Sequence, residues 1–173
     1  FLVAVMLEMI LPAGVESQES FGEPPGGMLF PEEQQIIAHA VAPRQREYAA
    51  VRSCARACLT RLGYPPVPIL TGVAGQPIWP AGVQGSMTHC PGYTAAAVAP
   101  LTRIHTIGID AEPDAPLPDG VIDLIATPAE QHRLAAQLSR DGLTVNGHHT
   151  RRLHGRWISK QGILATAVIL SST

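Results

Sequence analysis

Lysine is almost missing from this chain. Lys160 is the only one among 173 residues, and the rest of the basic charge is arginine. A guanidinium favours bidentate contacts to phosphate or carboxylate; genome composition accounts for the same bias equally well. An excess of positive charge is also absent. The net charge is −2, which argues against generic binding to a polyanion such as DNA, so no nucleic-acid partner is expected. Cysteine is scarce and odd in number: Cys54, Cys58 and Cys90 cannot all pair within one chain. No secretory segment is legible ahead of them. The opening "FLVAVMLEMILP" is apolar, but it has no basic n-region and no evident cleavage site, and it is too short to span a bilayer. Phe1 stands where a Met would open a complete chain, which suggests a trimmed start. The expectation is a cytoplasmic protein with reduced thiols and no membrane partner. Neither a Walker loop, nor G-x-G-x-x-G, nor G-x-S-x-G occurs, so the common phosphate loops and the serine-hydrolase elbow are excluded. No repeat or low-complexity tract is visible.

What is present suits a folded domain. The chain is 46% hydrophobic and 15% charged, enough to bury a core. Its length fits one domain or two small packed halves. Residues 22–31, "GEPPGGMLFP", read as a loop. Pro31 suits a first helical turn, with Glu32 and Glu33 near its positive end, and "EEQQIIAHAVA" continues that helix to Pro43. A second helix is predicted over about residues 44–62, with Tyr48, Val51, Ala55, Cys58, Leu59 and Leu62 facing the core and Gly63 ending it. Residues 65–82 read as a long proline-containing loop. "VQGSMTH" and "YTAAAVA" flank the turn Cys90-Pro-Gly92 and predict an antiparallel pair, and "IHTIGIDA" predicts a third strand. After a proline-rich turn over 113–119, "GVIDLIA" is ambiguous between helix and strand. "PAEQHRLAAQLS" is an amphipathic helix starting near Pro128. The end, "LHGRWIS–KQG–ILATAVIL", predicts a hairpin whose apolar last strand is central.

Several constellations could carry chemistry. In "IGIDAEPD", Asp110 and Glu112 follow an apolar, β-branched run. Residues i and i+2 of a strand share a face, so the two carboxylates would stand side by side with Ala111 turned away. Like charges that close repel unless something positive lies between them. Two readings stand: an acidic, solvated strand end, or a pair of oxygen ligands for a hard divalent cation. Arg44, Arg52 and Arg56, spaced by eight and four, share a helix face that either binds phosphates or is simply solvated; Arg46 points elsewhere. In "GSMTHC", Gly85 to Cys90, small residues would let backbone N–H groups approach an anion, and His89 could add a charge-assisted contact. The alternative is a structural histidine at a strand end. Cys54, Cys58, His89 and Cys90 do not follow a usual zinc spacing, and buried cysteine is commonly a small core residue. His148, His149 and His154 read as turn residues.

Taken in order, "RQREYAAVRSCAR", "GQPIWPAGVQGSMTHC" and "IGIDAE" resemble the 4'-phosphopantetheinyl transferases of the surfactin-activating and enterobactin-synthase type, especially the actinobacterial members. The resemblance covers about residues 5–140 and the final segment. It implies an α/β (α+β) fold built as a pseudo-twofold pair of α/β halves with antiparallel strands, here residues 1–103 and a shortened 104–173, with the ligand cleft between them. It implies Mg²⁺-dependent transfer of 4'-phosphopantetheine from coenzyme A to a serine of an acyl or peptidyl carrier protein, as used in fatty acid, polyketide or nonribosomal peptide biosynthesis. Adenosine 3',5'-bisphosphate leaves. By position, Asp110 and Glu112 resemble the metal-binding acids, and with His89 the catalytic set. Ser86 and His89 resemble the phosphate contacts, and Arg44 and Arg52 the contacts to the nucleotide end of coenzyme A.

Two departures from the family pattern stand out. The third motif, W-x-x-K-E-x-x-x-K, whose Glu is a metal ligand and the base for the carrier serine, has no counterpart. Ser139-Arg140 runs directly into Asp141-Gly142, and no Lys-Glu pair exists, as though some tens of residues were missing. In "ILTGVAGQP", Thr71 stands where relatives often carry Lys. The alternative implied is a degenerate relative that binds coenzyme A or a nucleotide without catalysis.

Overall fold

A computed structural model describes residues 7–23, 26–113, 123–124, 126–140, 157–158 and 163–171. Among these, a short 3-10 helix (Leu7–Met9), three α-helices and eight strands form a mixed α/β fold with antiparallel sheets. The first sheet has the order β1 (Glu16–Phe21), β5 (Tyr93–Pro100), β4 (Val83–Cys90). β4 and β5 form the predicted hairpin, in register from Val83↔Pro100 to Cys90↔Tyr93. Gly92, at φ +78°, supplies the left-handed residue of its two-residue turn. β6 (Ile104–Pro113) opens a second sheet of order β6, β8 (Ile163–Ser171), β7 (Trp157–Ile158). The last strand is therefore the middle one, as its apolar run predicts, with Asp110 opposite Thr166 and Glu112 opposite Leu164.

β5 explains how the layers meet. It is buried on both faces. Ala95, Ala97 and Ala99 turn toward Ile107, Ile109 and Ala111 of β6, and Leu7 closes that core. Ala96 and Val98 face α2 (Ala42–Arg61), against Cys54, Ala55, Cys58 and Leu59. Alanines at successive positions let a sheet and a helix approach closely on opposite sides. The helix ends as the glycine predicts: with Gly63 at φ +85°, the Tyr64 N–H bonds to Leu59 O at 2.9 Å and the Gly63 N–H to Thr60 O at 3.0 Å, a Schellman closure. The remaining helix, α3 (Pro128–Arg140), starts at the predicted proline.

Two expectations need correction, and one strand was not foreseen. The helix from Pro31 does not reach Pro43; α1 stops at Ile37 and α2 starts at Ala42. Pro43 has no N–H for the carbonyl four residues back and its ring clashes there, so it is tolerated in the first turn of α2 but not inside one continuous helix, and the Gln45 side-chain amide caps the break by donating to Ala40 O at 2.9 Å. The supposed loop 65–82 contains a small hairpin, β2 (Leu70–Thr71) with β3 (Pro77–Ile78); two-residue strands are too short to show periodicity. Residues 16–21 show no apolar alternation, yet they form β1. That strand reads "ESQESF" and is polar because it holds a buried carboxylate: Glu19 accepts the Leu7 N–H at 3.1 Å and the Tyr93 O–H. The proline-rich turn, most of "GVIDLIA", the His148–His154 cluster and the Arg140–Asp141 junction beyond α3 lie outside the described residues.

Candidate functional site

α1, α2, the β2–β3 hairpin and β4 enclose a cavity of about 470 Å³, within the usual range for small-molecule sites of roughly 300–1,000 Å³. Its apolar side comes from Ile36, Ile37, Tyr48, Val51 and Pro77, and its polar side from Arg44, Arg52, Thr71, Ser86 and His89. Four sequence-predicted residues from two distant segments thus meet around one space.

They are held differently. Arg44 is half exposed. Its Nη1 lies 3.1 Å from His89 Nε2 and 3.4 Å from Glu47 Oε2, and that same Nε2 lies 3.1 Å from Glu47 Oε2. One ring nitrogen cannot serve both neighbours. Unprotonated, it accepts from Arg44; carrying a proton, it donates to Glu47. Glu47 escaped the sequence reading, although its place one turn after Arg44 was the available signal.

Arg52 is buried within the cavity wall. Its Nε donates to Ile69 O at 2.9 Å and its Nη2 to Thr71 Oγ1 at 3.1 Å, and the guanidinium stacks 3.3 Å from the Tyr48 ring centroid. Burial pulls its pKa below the ordinary value, against the raising influence of Tyr48 and Glu33. Arg56, the third residue of the arginine row, is taken up by Glu33, donating at 2.8 and 3.1 Å to its two oxygens. Glu33 is fully buried and also accepts the N–H groups of Phe30 and Ile69 at 2.9 and 2.8 Å.

Gly85 lines the cavity for a packing reason. A Cβ there would come within 2.8 Å of both Ala97 O and the Trp79 ring. Ser86 lines it too, and its Oγ accepts the Ile109 N–H at 3.1 Å. Two residues on, Thr88 Oγ1 accepts the Ala111 N–H, also at 3.1 Å. Both bonds have the same sequence offset, so β4 and β6 run side by side in parallel, joined there by side-chain hydroxyls. Continuing that offset sets Asp110 level with Met87 and Glu112 level with His89. Ile109 and Ala111 are buried, while Asp110 is exposed and Glu112 intermediate on the other face. Cys90 registers the acids: its thiol is pushed up to about 11, by burial first and then by the charges of Glu112 and Asp110.

The acids themselves do not line the cavity. Among the described residues, no group of three His, Cys, Asp or Glu side chains could hold a metal. A pair of carboxylates still fits a hard cation of the Mg²⁺ kind, which typically takes one or two protein carboxylates and completes its shell with water and substrate phosphate oxygens. Cys54 and Cys58 pack in the core between α2 and β5, and burial raises their thiols to about 11 and about 12.

Comparison with known proteins shows the family. Residues 32–99 match the 4'-phosphopantetheinyl transferase N-terminal domain. The chain is 52% identical over 129 residues to the 4'-phosphopantetheinyl transferase Npt of Nocardia iowensis, covering 75% of this chain and 58% of that protein. It is 47% identical over 138 residues to Svp of Streptomyces mobaraensis, covering 78% and 56%. With PptT of Mycobacterium tuberculosis it shares 33% identity over 225 residues, covering 97% of this chain and 99% of PptT. The chain belongs to the 4'-phosphopantetheinyl transferase family. The match spans little more than half the length of Npt and Svp. The alignment with PptT is longer than the 173 residues of this family member, so tens of PptT positions have no counterpart in it. Among the described residues, no helix is long and apolar enough to cross a membrane.

Proposed function

We propose that this family member transfers the 4'-phosphopantetheine group of coenzyme A to a serine of an acyl or peptidyl carrier protein, with Mg²⁺, in the cytoplasm. One observation carries the reading: the cavity bearing Arg44, Ser86 and His89 adjoins a strand whose two carboxylates stand level with Met87 and His89. Arg44 binds phosphate at the nucleotide end, where its exposed guanidinium can exchange Glu47 for a more highly charged anion. Arg52 backs the same wall and orients Thr71. The Ser86 hydroxyl donates toward a pyrophosphate oxygen while its lone pair holds the Ile109 N–H. His89 donates a ring N–H toward the departing phosphate and stabilises the charge that grows there. Asp110 and Glu112 are the residues that would hold Mg²⁺, and the ion would supply neutralisation of the pyrophosphate charge. The carrier serine oxygen bonds to the phosphorus of the phosphopantetheine group, the bond to adenosine 3',5'-bisphosphate breaks, and the serine proton passes to solvent water. The net charge of −2 and the free thiols of Cys54, Cys58 and Cys90 support a cytoplasmic protein without a nucleic-acid partner.

A second reading, binding without turnover, has its own observation. No Lys-Glu pair exists in the chain, so the acid that takes the serine proton in relatives has no counterpart, and a positioned base typically contributes about 10²–10⁴-fold. The 173-residue chain is incubated with coenzyme A, Mg²⁺ and an apo carrier protein, and the carrier is weighed by mass spectrometry. Slow addition, accelerated when a relative's Trp-Lys-Glu segment is inserted after Arg140, supports the transferase with its base removed. No addition even with that segment supports the binding-only reading. Rapid addition by the unaltered chain refutes placing the base in the absent segment.

A further inference from the structure

The two strands that carry the proposed phosphate and metal residues are joined by hydroxyls. Thr88 is buried, at 8% exposure, and its Oγ1 accepts the N–H of Ala111 at 3.1 Å. Ala111 is itself buried and lies between Asp110 and Glu112. A buried N–H without an acceptor is costly, so this bond favours one register of β6 against β4. A slip of β6 by one residue would turn the carboxylates to the buried face. Ser86 makes the matching bond to Ile109, but it also lines the cavity. Thr88 does not, which separates a positioning role from a binding one.

We infer that Thr88 is a positioning residue: its hydroxyl, by holding the Ala111 N–H, fixes Asp110 and Glu112 as an oriented pair at the height of His89. The inference rests on the proposed reading of Asp110 and Glu112 as the Mg²⁺ ligands. Groups that orient ligands from behind typically change metal affinity by 10–100-fold when removed. Thr88→Val keeps the shape and the β-branched backbone preference but removes the acceptor. Thr88→Ser keeps the acceptor.

The test measures coenzyme A binding by calorimetry across a Mg²⁺ series, for the unaltered chain and three variants. In Thr88→Val, the Mg²⁺ concentration for half-maximal enhancement of binding should rise about tenfold, with coenzyme A affinity in the absence of Mg²⁺ unchanged. Thr88→Ser should retain the original Mg²⁺ dependence. A purely structural role would instead weaken binding with and without Mg²⁺ alike, and that result overturns the inference. Asp110→Ala is the third variant. If it abolishes the Mg²⁺ enhancement while Thr88→Val leaves it untouched, only the positioning role of Thr88 fails. If Asp110→Ala also leaves the enhancement untouched, the metal reading fails and the inference with it. Should Thr88→Val not fold, amide exchange in the unaltered chain still decides. A protected Ala111 N–H supports the hydroxyl bond, and a freely exchanging one overturns it.

Discussion

Replacing Glu33 by alanine should unfold the chain more readily than any truncation of its arginine partners, although no sequence pattern singles this residue out. Glu33 is fully buried in α1 and answers four groups. It accepts Arg56 at 2.8 and 3.1 Å, the Ile69 N–H at 2.8 Å and the Phe30 N–H at 2.9 Å, and Arg52 Nε stands 3.7 Å away. Alanine would leave the nearly buried guanidinium of Arg52 and the mostly buried one of Arg56 without a counter-charge, along with a buried N–H at Ile69. Breaking a buried ion pair from one side costs about 3–5 kcal/mol. Against a total stability of about 5–15 kcal/mol, that is a large share, equivalent to roughly 6–20 °C in Tm for a chain of this size. The cavity should suffer as well, because Glu33 holds the segment at Ile69 that positions Thr71. Urea unfolding followed by circular dichroism gives the midpoint and slope for Glu33→Ala, Glu33→Gln and Arg56→Ala. The expected order of loss is Glu33→Ala, then Arg56→Ala, with Glu33→Gln smaller than Glu33→Ala because the amide oxygen still accepts. A loss below about 1 kcal/mol for Glu33→Ala, within the range of a surface ion pair, would refute the argument that this carboxylate organises the α1–α2 corner.

Arg44→Ala should weaken coenzyme A more than a phosphopantetheine fragment lacking the nucleotide, whereas Arg52→Ala should weaken both and lower the unfolding midpoint, since Arg52 braces Ile69 and Thr71; calorimetry with the two ligands checks this, and nucleotide-selective loss from Arg52→Ala would restore it as a direct contact. Cys54 and Cys58 should resist iodoacetamide at pH 8 in the folded chain and react once urea unfolds it, read by mass spectrometry. Their folded pKa values, about 11 and about 12, lie above the ordinary 9.0, so the native state binds the protons more tightly. That contribution to stability is intact below pH 9 and is lost as pH rises toward 11–12, visible as a falling urea midpoint.

Much of this protein was legible in the sequence because the signals were local. Proline at a helix start, glycine at a helix end, the Pro-Gly turn between two β runs and an apolar last segment each act over a few residues. They marked α2, α3, the β4–β5 hairpin and β6 at nearly the right places. The i, i+2 spacing of Asp110 and Glu112 put them on one face for the same reason. The motif order also pointed to the family before any geometry was known. Tertiary structure alone decided the rest. β1 is polar and could be placed only once Glu19 was seen to hold Leu7 and Tyr93 from positions far apart in the chain. The spacing of the arginine row left open whether it binds phosphate or is simply solvated, and burial divides it: Arg56 answers Glu33, Arg52 braces the cavity wall, and Arg44 faces the cavity beside Glu47 and His89. Helical spacing sets direction around an axis but says nothing of what lies there. The height of the two acids relative to His89 was likewise invisible, because hydroxyls of Ser86 and Thr88 fix it across a strand pair that no local pattern encodes.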